Sequence, residues 1–166
     1  MLSLASLIAF GIPKEFNLSH TKLAPVKAVW SSPFKAKVSA YESVFKEASM
    51  KYKVPWRLLV AQDIIESRLN QYATNYNING SWDRGIAQIN SLAHPNISMF
   101  QAFNPVFAIN WQARQLAKWN GDWWDALAQY NSGQPYSRLY GQEKVQVYYY
   151  ISKVWHVWKN MENKKV

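Results

Sequence analysis

The chain has 166 residues, 19 Lys plus Arg against 10 Asp plus Glu, and no cysteine. The length fits one domain with a single core, and 49% hydrophobic against 17% charged residues excludes a disordered chain. The missing cysteines exclude disulfides, thiol catalysis and cysteine-ligated zinc, while a net charge of +9 points to an anionic partner: nucleic acid, membrane or cell-wall polymer.

The charge is unevenly placed. Residues 1–55 carry eight Lys and three Glu, residues 56–140 six Lys plus Arg and five acids, and residues 141–166 five Lys and two Glu. Six of the nine tryptophans lie in the nearly neutral middle. A nucleic-acid groove interleaves its cations with its aromatics. Here rings and cations are segregated, so nucleic acid is not expected as a partner.

Residues 1–13 are apolar but too short to span a bilayer as a helix. They resemble the core of a signal peptide without the usual cations ahead of it, and read equally as an anchor, a docking arm or a segment packed on its own domain. Residues 14–34 contain Pro25 and Pro33 and no clear period, so 1–34 form an N-terminal segment and linker or arm. From about Pro33 the pattern becomes helical, with Val38, Tyr41, Val44, Phe45 and Ala48 on one face. Pro55 opens a second helix at its first turn, where its missing N–H costs nothing. Leu58, Leu59, Ile64, Ile65 and Leu69 make a broad apolar stripe through it.

Residues 70–91 are rich in Asn, Gly and Ser and predict a loop or small hairpin. Two helical patterns follow, about 105–119 and 122–130, split by Asn120 and Gly121. A last helix runs from about 141 to 159, with Val147, Ile151, Val154 and Trp158 on one face. The expectation is a mainly α domain over 35–160 and a basic tail over 161–166.

The chemistry is concentrated in residues 62–90. Glu66 sits near the end of the Pro55 helix, bordered by Leu59, Gln62, Leu69 and Asn70 at three, four and seven residues. At that border it is either an exposed helix glutamate or a partly buried one. Partial burial raises a carboxyl pKa, as a general acid requires. Asp63, one turn earlier, is the nearest competing acid. Asp83, beside Arg84 in a glycine-containing string, reads as a turn residue or as a second carboxylate. A salt bridge to Arg84 makes it structural. His20, His94 and His156 show no ligand spacing, so neither a metal nor a cofactor is expected.

Taken together, these strings resemble a known family. Glu66-Ser67-x-x-Asn70-x-x-Ala73-Thr74-Asn75-x-Asn77 is followed by Gly80-Ser81-x-Asp83-x-Gly85-Ile86-x-Gln88-Ile89-Asn90-Ser91. Later come Ala126-x-x-x-Tyr130-Asn131-x-Gly133 and Tyr150-Ile151-x-x-Val154. The set is similar to the soluble lytic transglycosylase domains of the lysozyme-like superfamily, above all the small members of secretion, conjugation and phage entry systems. The match covers about residues 38–158, with Gln129 departing from the alanine common before that tyrosine. The seventeen residues between Glu66 and Asp83 also resemble c-type lysozyme. Those enzymes are disulfide-bonded and lack the Tyr-Asn-x-Gly element, which favours the transglycosylase over the hydrolase.

The resemblance implies a lysozyme-like, goose-type helical domain with a small loop or β-hairpin between the catalytic helix and Gly85-x-x-Gln88. It implies peptidoglycan glycan strands as partner, outside the cytoplasm or on a phage particle, with residues 1–34 meeting a membrane or a machine component. Glu66 is then the acid that protonates the glycosidic oxygen of the β-1,4 bond as the ring flattens toward an oxocarbenium-like state. Its carboxylate next takes the proton of the sugar's C6 hydroxyl, closing a 1,6-anhydro ring without water. A muramidase using Glu66 and Asp83 is the alternative. Two further alternatives are a silent glycan-binding module and a docking component of such a machine.

Ser67 is expected near the glutamate or the sugar, or bonded back to its own helix. Gln88 and Asn131 offer amides suited to sugar hydroxyls and N-acetyl groups. Tyr130 is expected as part packing and part subsite wall, and the resemblance implies that Tyr150 points its hydroxyl at Glu66. Trp82, Trp123 and Trp124 are better read as core than as stacking platforms.

Overall fold

The computed structural model describes residues 32–163, so the reading of residues 1–31 and of 164–166 lies outside the described residues. Helix α1 (Ser32–Tyr52) buries Val38, Phe45 and Ala48, the stripe expected from their spacing. Lys53 then takes a left-handed conformation and Val54 is buried. Pro55 is the N-cap of α2 (Trp56–Ser67), one position earlier than expected, with φ −57° and ψ 123°. Its carbonyl accepts from Leu58 and Leu59, so its missing N–H is again immaterial.

Helix α2 is the centre of the molecule. Every residue from Leu58 through Ile64 is buried, including the polar Gln62 and Asp63. A helix covered on all sides is a core helix, and α2 packs against α1, against α4 (Pro105–Ala117) and most extensively against α6 (Gly141–Asn163). It stops where Arg68 and Leu69 both take positive φ, 56° and 58°. Their N–H groups still reach back to the carbonyls of Ile64 and Asp63.

Between α2 and α4 the Asn-rich stretch forms a three-stranded antiparallel sheet rather than a single hairpin: β1 (Thr74–Tyr76), β2 (Trp82–Arg84) and β3 (Ile89–Asn90), in that order. Its register sets Asn75 opposite Asp83 and Asp83 opposite Asn90. The short helix α3 (Met99–Phe103), which no periodicity announced, starts at a capping box between Ser98 and Gln101.

Asn104 caps α4 with Pro105 at its first turn, and Asp122 caps α5 (Trp123–Ser132). Helix α5 ends at Gly133 (φ 78°), and α6 runs on through Asn163, past the expected residue 159, with Met161 buried. The result is a mainly helical, lysozyme-like domain with a small sheet on one side. No helix among the described residues is long and apolar enough to cross a membrane.

Candidate active site

A cleft of about 1680 Å³ opens between the end of α2, the sheet, α4 and α5. Glu66, Ser67, Asp83, Gln88, Tyr130 and Asn131 all line it, so six of the seven residues singled out in the sequence share one surface. The seventh, Tyr150, stands behind the glutamate on α6.

Glu66 is half-buried on the last turn of α2. The Tyr150 hydroxyl donates to its Oε1 at 2.5 Å, and Gln62 Nε2 donates to the Tyr150 oxygen at 3.0 Å. Burial pushes the Glu66 carboxyl up from 4.5 to about 7, against the opposing pull of the Tyr150 hydrogen bond; the Asp83 charge raises it further. A carboxyl in that range holds a proton near neutrality and can release it to a substrate oxygen. One turn back, Asp63 is fully buried, and burial followed by the nearby Glu66 charge drives its pKa well above the usual range.

Asp83 is held quite differently. Asn90 donates to its Oδ1 at 2.7 Å, while Asn77 and Asn75 donate to its Oδ2 at 2.9 and 3.3 Å. Two of these donors are the cross-strand partners that the sheet register supplies. The ion pairs among the described residues are Lys46–Glu42 and Lys159–Glu162, so Asp83 has no salt bridge to Arg84. Arg84 is instead buried, its Nε donating to the Ile89 carbonyl. The cleft therefore faces a substrate with one proton-holding acid and one hydrogen-bonded carboxylate.

The Gly85–Gln88 turn joins β2 to β3 and brings Gln88 to the cleft. Gly85 has φ 77°, and a Cβ there would lie 1.9 Å from the Ala102 carbonyl oxygen, so only glycine fits. Gln88 donates to the Gly85 and Ala73 carbonyls at 2.8 and 3.3 Å, and its Oε1 accepts nothing from the described residues. Tyr130 donates to the Ala87 carbonyl at 2.6 Å and packs edge-on against Trp111, pinning the same turn from α5. Asn131 is exposed with its amide free among the described residues. Ser67 lines the cleft, but its hydroxyl donates to the Asp63 carbonyl and accepts from the Asn70 N–H.

Of the three tryptophans expected in the core, Trp123 and Trp124 pack against it, and Trp82 does not. Trp124 sits in an aromatic cluster with Tyr136, Tyr148 and Trp155, and Trp82 is exposed against Tyr76. The cleft is walled by Trp111 and Trp119, neither of which sequence reasoning chose. His94 lines the same end and packs on Trp111; burial and the charges of Lys118 and Arg84 hold its pKa low. No group of acidic or histidine side chains among the described residues could hold a metal ion.

The profile of the transglycosylase SLT domain matches residues 43–146, which contain the whole cleft lining. A similar protein, Protein IpgF of Shigella sonnei, is 31% identical over 96 residues, covering 52% of this chain and 63% of the relative.

Proposed function

The chain belongs to the transglycosylase SLT domain family, and from that premise we propose that it is a peptidoglycan lytic transglycosylase. It cleaves the β-1,4 bond between MurNAc and GlcNAc and leaves 1,6-anhydroMurNAc ends. The observation that carries this reading is the Glu66 carboxyl, which lines the cleft with its pKa raised to about 7 and one oxygen bonded by Tyr150. Protonated Glu66 donates to the leaving glycosidic oxygen. The resulting carboxylate accepts the proton of the C6 hydroxyl as that oxygen closes on C1, so each turnover returns Glu66 to its acid form. Gln88 Oε1 and the Asn131 amide bind sugar hydroxyls and N-acetyl groups, and the Trp119 ring offers an apolar face to a pyranose. Residues 1–34 and the basic ends hold the domain against wall, membrane or machine, where a phage or a secretion or conjugation apparatus opens the wall locally.

The three amides on Asp83 support a second reading, a muramidase in which Asp83 stabilises or captures the sugar cation and water completes the reaction. Mass spectrometry of muropeptides released from purified sacculi separates the two. Anhydro ends are expected; reducing ends make the protein a hydrolase, and no release at all overturns both.

A further inference from the structure

Behind the Tyr150–Glu66 bond runs a line of buried side chains that the proposed reaction does not use. Gln62, Asp63 and Gln112 are fully buried, on α2 and α4. The Gln112 amide nitrogen lies 2.8 Å from Asp63 Oδ1 and 3.0 Å from Gln62 Oε1, so its two hydrogens have two side-chain acceptors. The Leu59 carbonyl, a backbone acceptor that cannot reverse, is 3.5 Å from the same nitrogen. Gln62 accepts from Gln112 and presents its own Nε2 to the Tyr150 oxygen. A phenol has one hydrogen. With Gln62 donating to its oxygen, that hydrogen goes to Oε1 of Glu66.

The bonds therefore run one way. Turning Gln62 around sets its NH₂ against that of Gln112. Turning Gln112 sets its carbonyl oxygen against the oxygens of Gln62, Asp63 and Leu59. Either reversal sets like groups face to face in a dry interior, whereas the direction observed leaves, among these three side chains, the Gln112 Oε1 and Asp63 Oδ2 without a hydrogen-bond partner. A proton on Oε1 of Glu66 would oppose the Tyr150 hydrogen.

We infer that Asp63, Gln112 and Gln62 are positioning residues whose one-way hydrogen bonds aim the Tyr150 hydroxyl at Oε1 of Glu66 and so assign the transferable proton to Oε2. This rests on Glu66 being the general acid. The titratable groups around Glu66 are Asp63 on α2, Asp83 on β2, Tyr130 on α5 and Tyr150 on α6. Asp63 meets the Gln112 amide through Oδ1, while its Oδ2 is buried without a partner and burial with the nearby Glu66 charge raises its pKa. It acts through an acceptor oxygen, not through charge.

The test compares pH–rate profiles for release of soluble muropeptides from sacculi by the full chain and its variants. Gln62→Leu and Asp63→Leu should lower kcat about tenfold, leave KM within about twofold and move the alkaline limb up by about half a unit, since Tyr150 no longer favours the Glu66 anion. Asp63→Asn keeps the acceptor and the shape and should keep both rate and limb. An unmoved limb in Gln62→Leu overturns the inference, as does a shifted limb in Asp63→Asn. If the leucine variants lose their native circular dichroism, Gln62→Met and Asp63→Asn decide in the same assay. Glu66→Gln is the separate control: retained lysis there removes the general acid itself, whereas lost lysis with an unmoved Gln62→Leu profile removes only the positioning chain.

Discussion

The hydroxyl of Tyr150, on α6, donates to the carboxyl of Glu66, on α2, across 84 positions of sequence. Because this hydrogen bond favours the carboxylate, it works against the burial that keeps Glu66 protonated. Tyr150→Phe should therefore raise the Glu66 pKa and extend activity to higher pH, while lowering kcat by roughly tenfold or more because the rotamer is no longer fixed. It also leaves the Gln62 amide without its acceptor, at a cost of about 1–3 kcal/mol. Rate profiles and thermal melts of the same preparation read both effects.

Glu66→Gln should abolish release of muropeptides and leave the fold intact. Its stability has a definite pH dependence. The folded carboxyl has its pKa raised from 4.5 to about 7, so the native state binds more protons than the unfolded chain between those values, and stability falls as pH rises through them. The wild type thus carries a penalty above about pH 7 that the glutamine escapes. The variant should be more stable by roughly 1–3 kcal/mol at pH 8, with the gain gone below about pH 4.5. Urea melts at both pH values check the sign; equal differences would mean that the Glu66 environment is not what raises its pKa.

Asp83→Ala removes one acceptor from each of the Asn75, Asn77 and Asn90 amides, which keep Asn77 Oδ1 or Ser81 Oγ as the other. The stability cost should be small, about 1–2 kcal/mol, because water can reach these groups. The loss of turnover should be about a hundredfold. Asp83→Asn keeps the size of the side chain and removes its charge, and turnover as low as the alanine variant's would assign the effect to the charge.

At Gly85 no side chain fits. Gly85→Ala combines φ 77° with a Cβ placed 1.9 Å from the Ala102 carbonyl oxygen. The expected destabilisation is about 2–4 kcal/mol, read as a lowered midpoint in denaturant. Gly133→Ala is the control: it shares the positive φ but meets nothing within 4 Å, and should cost only about 1 kcal/mol.

The five long helices were legible because each repeats its apolar residues over several turns, as Val38, Phe45 and Ala48 do on α1. The strands have two or three residues each, too few for alternation to show, so the sheet could be read only as a turn-rich stretch. Helix α3 has no period either, although its Ser98–Gln101 pair carries the signature of a capping box. Glu66 and Tyr150 came into view together only through the resemblance. Asn75, Asn77 and Asn90 stood in plain sight within the same motif, yet their convergence on one carboxylate depends on strand register. Gln112 was beyond reach, since its meeting with Gln62 and Asp63 requires the packing of α4 on α2.

The uninterrupted burial of α2 has a consequence for how the molecule opens. Backbone amides along Leu58–Ile64 should meet solvent only when the whole domain unfolds, while those of the exposed strand β1 should do so through local fluctuation. Hydrogen exchange should accordingly be slowest beneath Glu66 and orders of magnitude faster along Thr74–Tyr76. On the proposed function, a bulky, cross-linked polymer would then be admitted by yielding on the side of β1, with the proposed proton donor keeping its place.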